Sequence, residues 1–382
     1  MHRFVRALGD IGNVGGITTR SMKNMDSKAA GAAVKPTALQ PRAAPPAAST
    51  AAGGSSLSSL LQSRSETAAS RRAGASAAPA AARAPPPAAP ASPLPDIDSG
   101  DRHDPLAETG YAHGIYCYYR RVEPRFAVPR DYMAGQAEVN EKMRSILVDW
   151  LVEVHLKFKL MPETLYLTVN LIDRYLACRP VARKKLQLIG CTAMLIASKY
   201  EEIWAPEVRD FVYISDKAYS RADILACEKT MLQARTPGGG GGGRRALSYD
   251  LTVPTAFTFL GRLKKAAPSA PPPAGKLADY LCELALVDQA MLSHPPSLLA
   301  AAALHAGLAS TGAAGEAAYP RPLRRHARYE LAQVAPVAAA LLGLARKAPG
   351  GSLKAVYKKF SSSKFGEVAK MELPGAEEAG DA

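Results

Sequence analysis

The segment from Met143 to Leu160 constrains the fold more than any other. Met143, Leu147, Trp150, Val154 and Phe158 recur at spacings of three and four, with Ile146, Leu151 and Leu160 beside them. That period describes a helix whose apolar face covers more than half of its circumference. A helix so apolar needs other helices around it, so the ordered part of the chain should pack about this one. Arg144 lies on the same helix, and once buried its charge requires a partner.

The neighbouring segments read as helices too. Pro162 suits a first helical turn, and Leu165, Val169, Ile172, Tyr175 and Leu176 give the next apolar face, which Pro180 ends. Leu186 to Lys199 is nearly all apolar, with small Gly190, Ala193 and Ala197, as a central, closely packed helix requires. Pro206 opens a short helix through Phe211 and Tyr213. Ser220 with Asp223 resembles an N-capping arrangement, ahead of a fifth helix with Ile224, Leu225 and Met231 inward. Five helices with short links make one all-α domain.

A second set follows more loosely. Pro254 precedes Phe257, Phe259, Leu260 and Leu263; Leu277, Leu281, Leu284, Ala285, Val287 and Leu292 give a further face; Pro295-Pro296 opens an Ala-rich helix. Tyr329 to Arg346 is another helical stretch, which Pro336 should break or kink. Leu353 to Phe360 is basic and aromatic. Ahead of both sets, Tyr111, Ile115, Tyr116 and Tyr119 fall on one helical face. The expected fold class is all-α, with two tandem five-helix units: residues 105–234 with the preceding helix, and residues 250–365.

The flanks differ in composition. Residues 1–104 are rich in Ala, Pro and Ser, poor in aromatics, and read as a disordered tail. Within it, Leu8 and Ile11 are apolar anchors three apart in the run Leu8-Gly9-Asp10-Ile11-Gly12-Asn13, a pattern suited to an extended peptide held in a partner's pockets. Gly238–Gly243, between Pro237 and Arg244-Arg245, leaves no regular element in a 235–249 linker. Residues 366–382 read as a second tail.

Composition narrows the function. The formal net charge of +14 is spread over tail, helices and loops. Such scatter makes no stripe that could track a groove, which disfavours direct nucleic-acid binding and suits a basic protein bound for a nucleus or an acidic partner. The five cysteines show no CxxC spacing, which speaks against a metal site or a disulfide framework. Leu298 to Ala309 is too short to span a bilayer, and no apolar run follows Arg3 and Arg6 as in a secretory signal. The histidines are isolated, and the glycine run lacks the Lys-Ser/Thr of a phosphate loop, so neither catalysis nor a cofactor is expected.

The helical segments carry a resemblance. Met143-Arg144-Ser145-Ile146-Leu147-Val148-Asp149-Trp150-Leu151, Leu171-Ile172-Asp173-Arg174-Tyr175-Leu176 and Ala197-Ser198-Lys199-Tyr200-Glu201-Glu202 are similar, in this order and spacing, to the signature blocks of the cyclin box. Tyr132-Met133 with Gln136, Asn140-Glu141-Lys142, and Asp250-Leu251-Thr252-Val253-Pro254-Thr255 resemble the mitotic B-type cyclins in particular. The resemblance spans about residues 105–365. It implies two five-helix repeats that activate a cyclin-dependent protein kinase without catalysing anything themselves.

The resemblance also implies roles. Lys199, Tyr200 and Glu228 would contact the kinase helix that carries its catalytic glutamate. Arg144 and Asp173 would form a structural pair. Met143, Ile146, Leu147, Trp150, Glu153, Leu186 and Gln187 would form a docking patch for Arg-x-Leu peptides of substrates or inhibitors, with one edge of the apolar helix left open. Leu8 to Asn13 resembles a destruction box read by the mitotic ubiquitin ligase, although Val5 stands at the arginine position. The expected setting is the nucleus and cytoplasm. The alternative within the same fold is a transcriptional cyclin-box protein, partnering a kinase or bound to DNA as a basic adaptor; the scattered charge argues against the adaptor.

Overall fold

Helix starts follow from side chains that satisfy otherwise unpaired amides. In the computed structural model, which describes residues 96–234 and 247–374, Asn140 caps Glu141–Phe158 by accepting from the Met143 amide. Ser220 and Asp223 form a reciprocal capping box on Arg221–Leu232, and Thr255 caps Ala256–Lys265. Pro162, Pro272 and Pro296 occupy first helical positions, where a missing amide costs nothing.

The first repeat contains α2 (Glu141–Phe158), α3 (Pro162–Leu176), α4 (Leu186–Glu201), α5 (Val208–Ile214) and α6 (Arg221–Leu232), preceded by α1 (Thr109–Phe126). The second contains α7 (Ala256–Lys265), α8 (Pro272–Val287), α9 (Pro296–Ser310), α10 (Arg321–Ala327) and α11 (Leu331–Lys347), followed by α12 (Ala355–Phe360). No strand occurs among the described residues. The five-plus-five plan matches the expectation.

Its centres are not where the apolar period alone puts them. Each repeat packs about its third helix: α4 touches α2, α3, α5 and α6, and α9 touches α7, α8, α10 and α11. The long apolar helix α2 lies instead between the repeats, against α3 and α4 on one side and α8 and α12 on the other. Its polar stripe is used in that contact. Ser145 donates to the Val287 carbonyl at 2.8 Å, and the Asp149 carboxylate accepts from the Ala355 amide at 2.8 Å.

Several boundaries move. Residues 96–104, assigned to the tail, are tied to the second repeat: Arg262 donates to both oxygens of Asp98, and Lys265 pairs with Asp101. Val368, placed in the C-terminal tail, is in the core. Tyr116 and Tyr119 pack inward from α1, whereas Tyr111 and Ile115 face outward with Tyr118, so the four do not share a face. The inward stripe is Ala112, Tyr116, Tyr119, Glu123 and Phe126, spaced by three and four. Helix α11 runs unbroken through Pro336, which points to solvent and leaves the freed carbonyl on an exposed face. The expectations for residues 1–95, with Leu8–Asn13, and for Gly238–Gly243 lie outside the described residues.

Helices α8 and α9 pack closely at Gly307. A methyl group on Gly307 would sit on the Ala274 carbonyl oxygen, with backbone rather than a flexible side chain in the way. Gly307→Ala should therefore cost about 1–3 kcal/mol despite the better helix propensity of alanine. A urea melt of this variant with an unshifted midpoint would show that the helices separate freely.

Candidate functional site

The charge that the sequence placed on an apolar helix is wholly buried. Arg144 grips Asp173 on α3 with two parallel bonds, Nε to Oδ1 at 2.6 Å and Nη2 to Oδ2 at 2.7 Å. Its remaining nitrogen donates to the Leu286 carbonyl at 3.0 Å and to that of Val287 at 3.4 Å, at the C-terminal end of α8. That end carries unpaired carbonyls and partial negative charge, which suit a guanidinium. Tyr132 completes the cluster by donating to Asp173 at 2.8 Å. Burial opposes the Arg144 charge, but the adjacent carboxylate outweighs it and raises the arginine pKa. Burial, reinforced by the Asp173 charge, likewise raises the Tyr132 pKa, so the phenol stays a donor.

A second group gathers at the C-terminus of α4. Lys199 donates to Glu228 on α6 at 2.6 Å, with side chains 48% and 15% exposed. Tyr200 is about half exposed, and its hydroxyl meets Thr252 at 2.6 Å. Glu202 turns back to accept from the Met161 amide at 2.7 Å and from Thr164, which fixes the end of α4 against the start of α3. Two residues that the sequence reading passed over stand out next. Ile203 and Trp204 are 92% and 91% exposed. Their signal in sequence was weak, because an Ile-Trp pair after a helix reads equally well as core.

The proposed docking patch is more enclosed than its outline suggests. Met143, Leu147 and Leu186 lie inside the core, and Ile146 and Trp150 keep only 8% and 5% of their surface. Glu153 and Gln187 are half-buried. The flank of α2 that meets α8 and α12 carries Ser145 and Asp149, which are not among the patch residues. Among the described residues no group of His, Cys, Asp and Glu is arranged to hold a metal ion, and no helix is long and apolar enough to cross a membrane.

A family model described as the cyclin N-terminal domain matches residues 114–234, and one described as the cyclin C-terminal domain matches residues 254–374. Cyclin-B2-1 of Arabidopsis thaliana is 45% identical over 280 residues, 73% of this chain and 62% of the relative. G2/mitotic-specific cyclin-2 of Medicago sativa is 44% identical over 277 residues, 72% of this chain and 80% of the relative. The chain belongs to the B-type cyclins. It spans less than two thirds of the length of the Arabidopsis relative. A viral cyclin from herpesvirus saimiri shares the cyclin fold, with a TM-score of 0.52 at 21% identity over 64% of this chain and 99% of the viral one.

Within this cyclin box the Arg144–Asp173 pair is structural, since neither partner reaches solvent. Arg144→Met strands the Asp173 carboxylate and should cost about 3–5 kcal/mol. Replacing both, as Arg144→Met with Asp173→Leu, should recover much of that loss because no charge is left unpaired. Denaturant titration of the two variants checks this, and equal losses would contradict it.

Proposed function

We propose that this chain is the regulatory subunit of a cyclin-dependent protein kinase acting at the G2/M transition. The observation that carries the reading is the pairing of a weak surface ion pair with unburied apolar side chains. Lys199 and Glu228 satisfy one another at the surface, where such a pair contributes only about 0–1 kcal/mol. It opens at little cost. Its two ends can then bond the polar ends of a partner helix, while Tyr200, Ile203 and Trp204 supply apolar contact. The outward Tyr111, Ile115 and Tyr118 of α1 would extend this surface.

The action is allosteric and the chain supplies no chemistry. By binding the kinase helix that bears the catalytic glutamate, it favours the state in which that glutamate pairs with the ATP-site lysine, as phosphoryl transfer requires. The names of the relatives, G2/mitotic-specific cyclins among them, support the mitotic assignment. Arg-x-Leu peptides of substrates or inhibitors would use Glu153 and Gln187 with the exposed edges of Ile146 and Trp150, and the nucleus and cytoplasm are the proposed setting. Leu8–Asn13 would mark the chain for a mitotic ubiquitin ligase.

Lys199→Ala combined with Glu228→Ala should abolish activation of the kinase in a reconstituted assay and leave the helical circular dichroism unchanged. Trp204→Ala should weaken kinase binding at least tenfold. Undiminished activation by the double variant would sink the assignment. Deleting residues 1–30 should lengthen the half-life of the protein at mitotic exit, measured by pulse–chase; an unchanged half-life would remove the degron role.

A further inference from the structure

Arg174 on α3 is a second buried guanidinium, 6% exposed and stacked 5.1 Å over the Phe126 ring. Its nitrogens donate to the Asp250 carbonyl at 3.0 Å and to that of Leu247 at 3.4 Å. The Asp250 carboxylate accepts from Arg125 on α1 at 2.8 Å. Burial pushes the Arg174 pKa down to about 10, so keeping the charge in this place is costly. The turn between the two carbonyls carries a further cost. Ser248 and Tyr249 have φ of 43° and 60°, a left-handed backbone that favours glycine. Such strain persists where the surroundings enforce it, and it collects at functional positions.

Two residues past Asp250, the Thr252 hydroxyl meets the Tyr200 phenol at 2.6 Å. Two residues span at most about 7 Å of chain, so the grip on Asp250 limits where that hydroxyl can lie. Thr252 is exposed and Tyr200 is about half exposed, so core packing alone fixes neither. Without this bond the phenol would be free to sample other rotamers. We propose, on the kinase reading of this surface, that Arg174 is a positioning residue for it: through the 247–252 turn Arg174 fixes Thr252, and Thr252 fixes the Tyr200 ring in the orientation that the kinase meets. Ordering the phenol beforehand removes a cost that the complex would otherwise bear, about fivefold in affinity for one side chain.

The test uses the full chain with 3-fluorotyrosine at position 200, read by fluorine NMR and by titration with a purified cyclin-dependent kinase catalytic subunit. Thr252→Val removes the hydroxyl and keeps the shape. Arg174→Lys keeps the charge and loses the fork that spans two carbonyls. Each should shift or broaden the fluorine resonance, retain the helical circular dichroism and weaken kinase binding about fivefold. The double variant should bind no worse than Thr252→Val alone, because both changes act through one hydroxyl. Arg174→Gln, a neutral donor, takes the place of Arg174→Lys if the lysine variant does not fold. A purely structural role for Arg174 would lower the melting temperature and leave the resonance in place, which overturns the proposal; additive losses in the double variant overturn it as well. Lys199→Ala with Glu228→Ala is the control for the kinase reading. If kinase binding survives that control, or is absent from the unsubstituted chain, the kinase reading falls, while the fluorine resonance still decides whether Arg174 sets Tyr200.

Discussion

One guanidinium joins the two halves of this molecule. Arg144 starts on the first repeat, is held in plane by Asp173, and reaches the last carbonyls of α8 in the second. A planar fork with five donors can grip a carboxylate with two parallel bonds and still reach a helix end; a lysine ammonium, a point charge, cannot make that paired grip. Because the group is wholly buried, each bond must be made. The position of α2 between the repeats follows, and so does the direction in which its polar stripe faces.

Much of this was legible in the residues. A charge on an apolar helix demands a partner, and Asp173 is the matching charge on the next apolar helix, so the pair could be named from sequence. Its third contact could not. Carbonyl ends of a helix have no sequence signature, and Leu286 is 142 residues away. The same limit hid the true centres of the repeats: α4 and α9 are recognisable as small-residue helices, but which helix is central depends on who surrounds it. Helix α10 has little sequence signal because only Leu323 and Ala327 of its residues are buried, the rest being mostly Arg and His. Pro336 misled because a proline is disruptive only where its missing amide and freed carbonyl matter, and exposure decides that.

The candidate surface was half legible for a related reason. Lys199 and Glu228 were placed by their match to a family pattern, and the structure brings them within 2.6 Å. Ile203 and Trp204 were not, because composition cannot tell an apolar residue meant for the core from one left outside it. The docking patch is harder to read from the residues alone. A wide apolar helix face does not say which of its edges the neighbours cover: Met143, Leu147 and Leu186 lie inside the core, while Glu153 and Gln187 stay half-buried.

The second repeat matters to a surface that lies on the first. Tyr200 is held by Thr252, just ahead of α7, and α1 is strapped to the second repeat by long side chains rather than by close backbone contact. Tyr116 donates to the Thr258 carbonyl, Arg120 reaches Ser297 and Ala327 and stacks over Phe259 and Tyr329, and Arg125 pairs with Asp250. Cation–π and charge-assisted contacts of this kind fix orientation through few atoms. The outward stripe of α1 can stay rigid without being buried. A partner meeting Tyr200, Trp204 and α1 meets a surface whose geometry is set by both repeats.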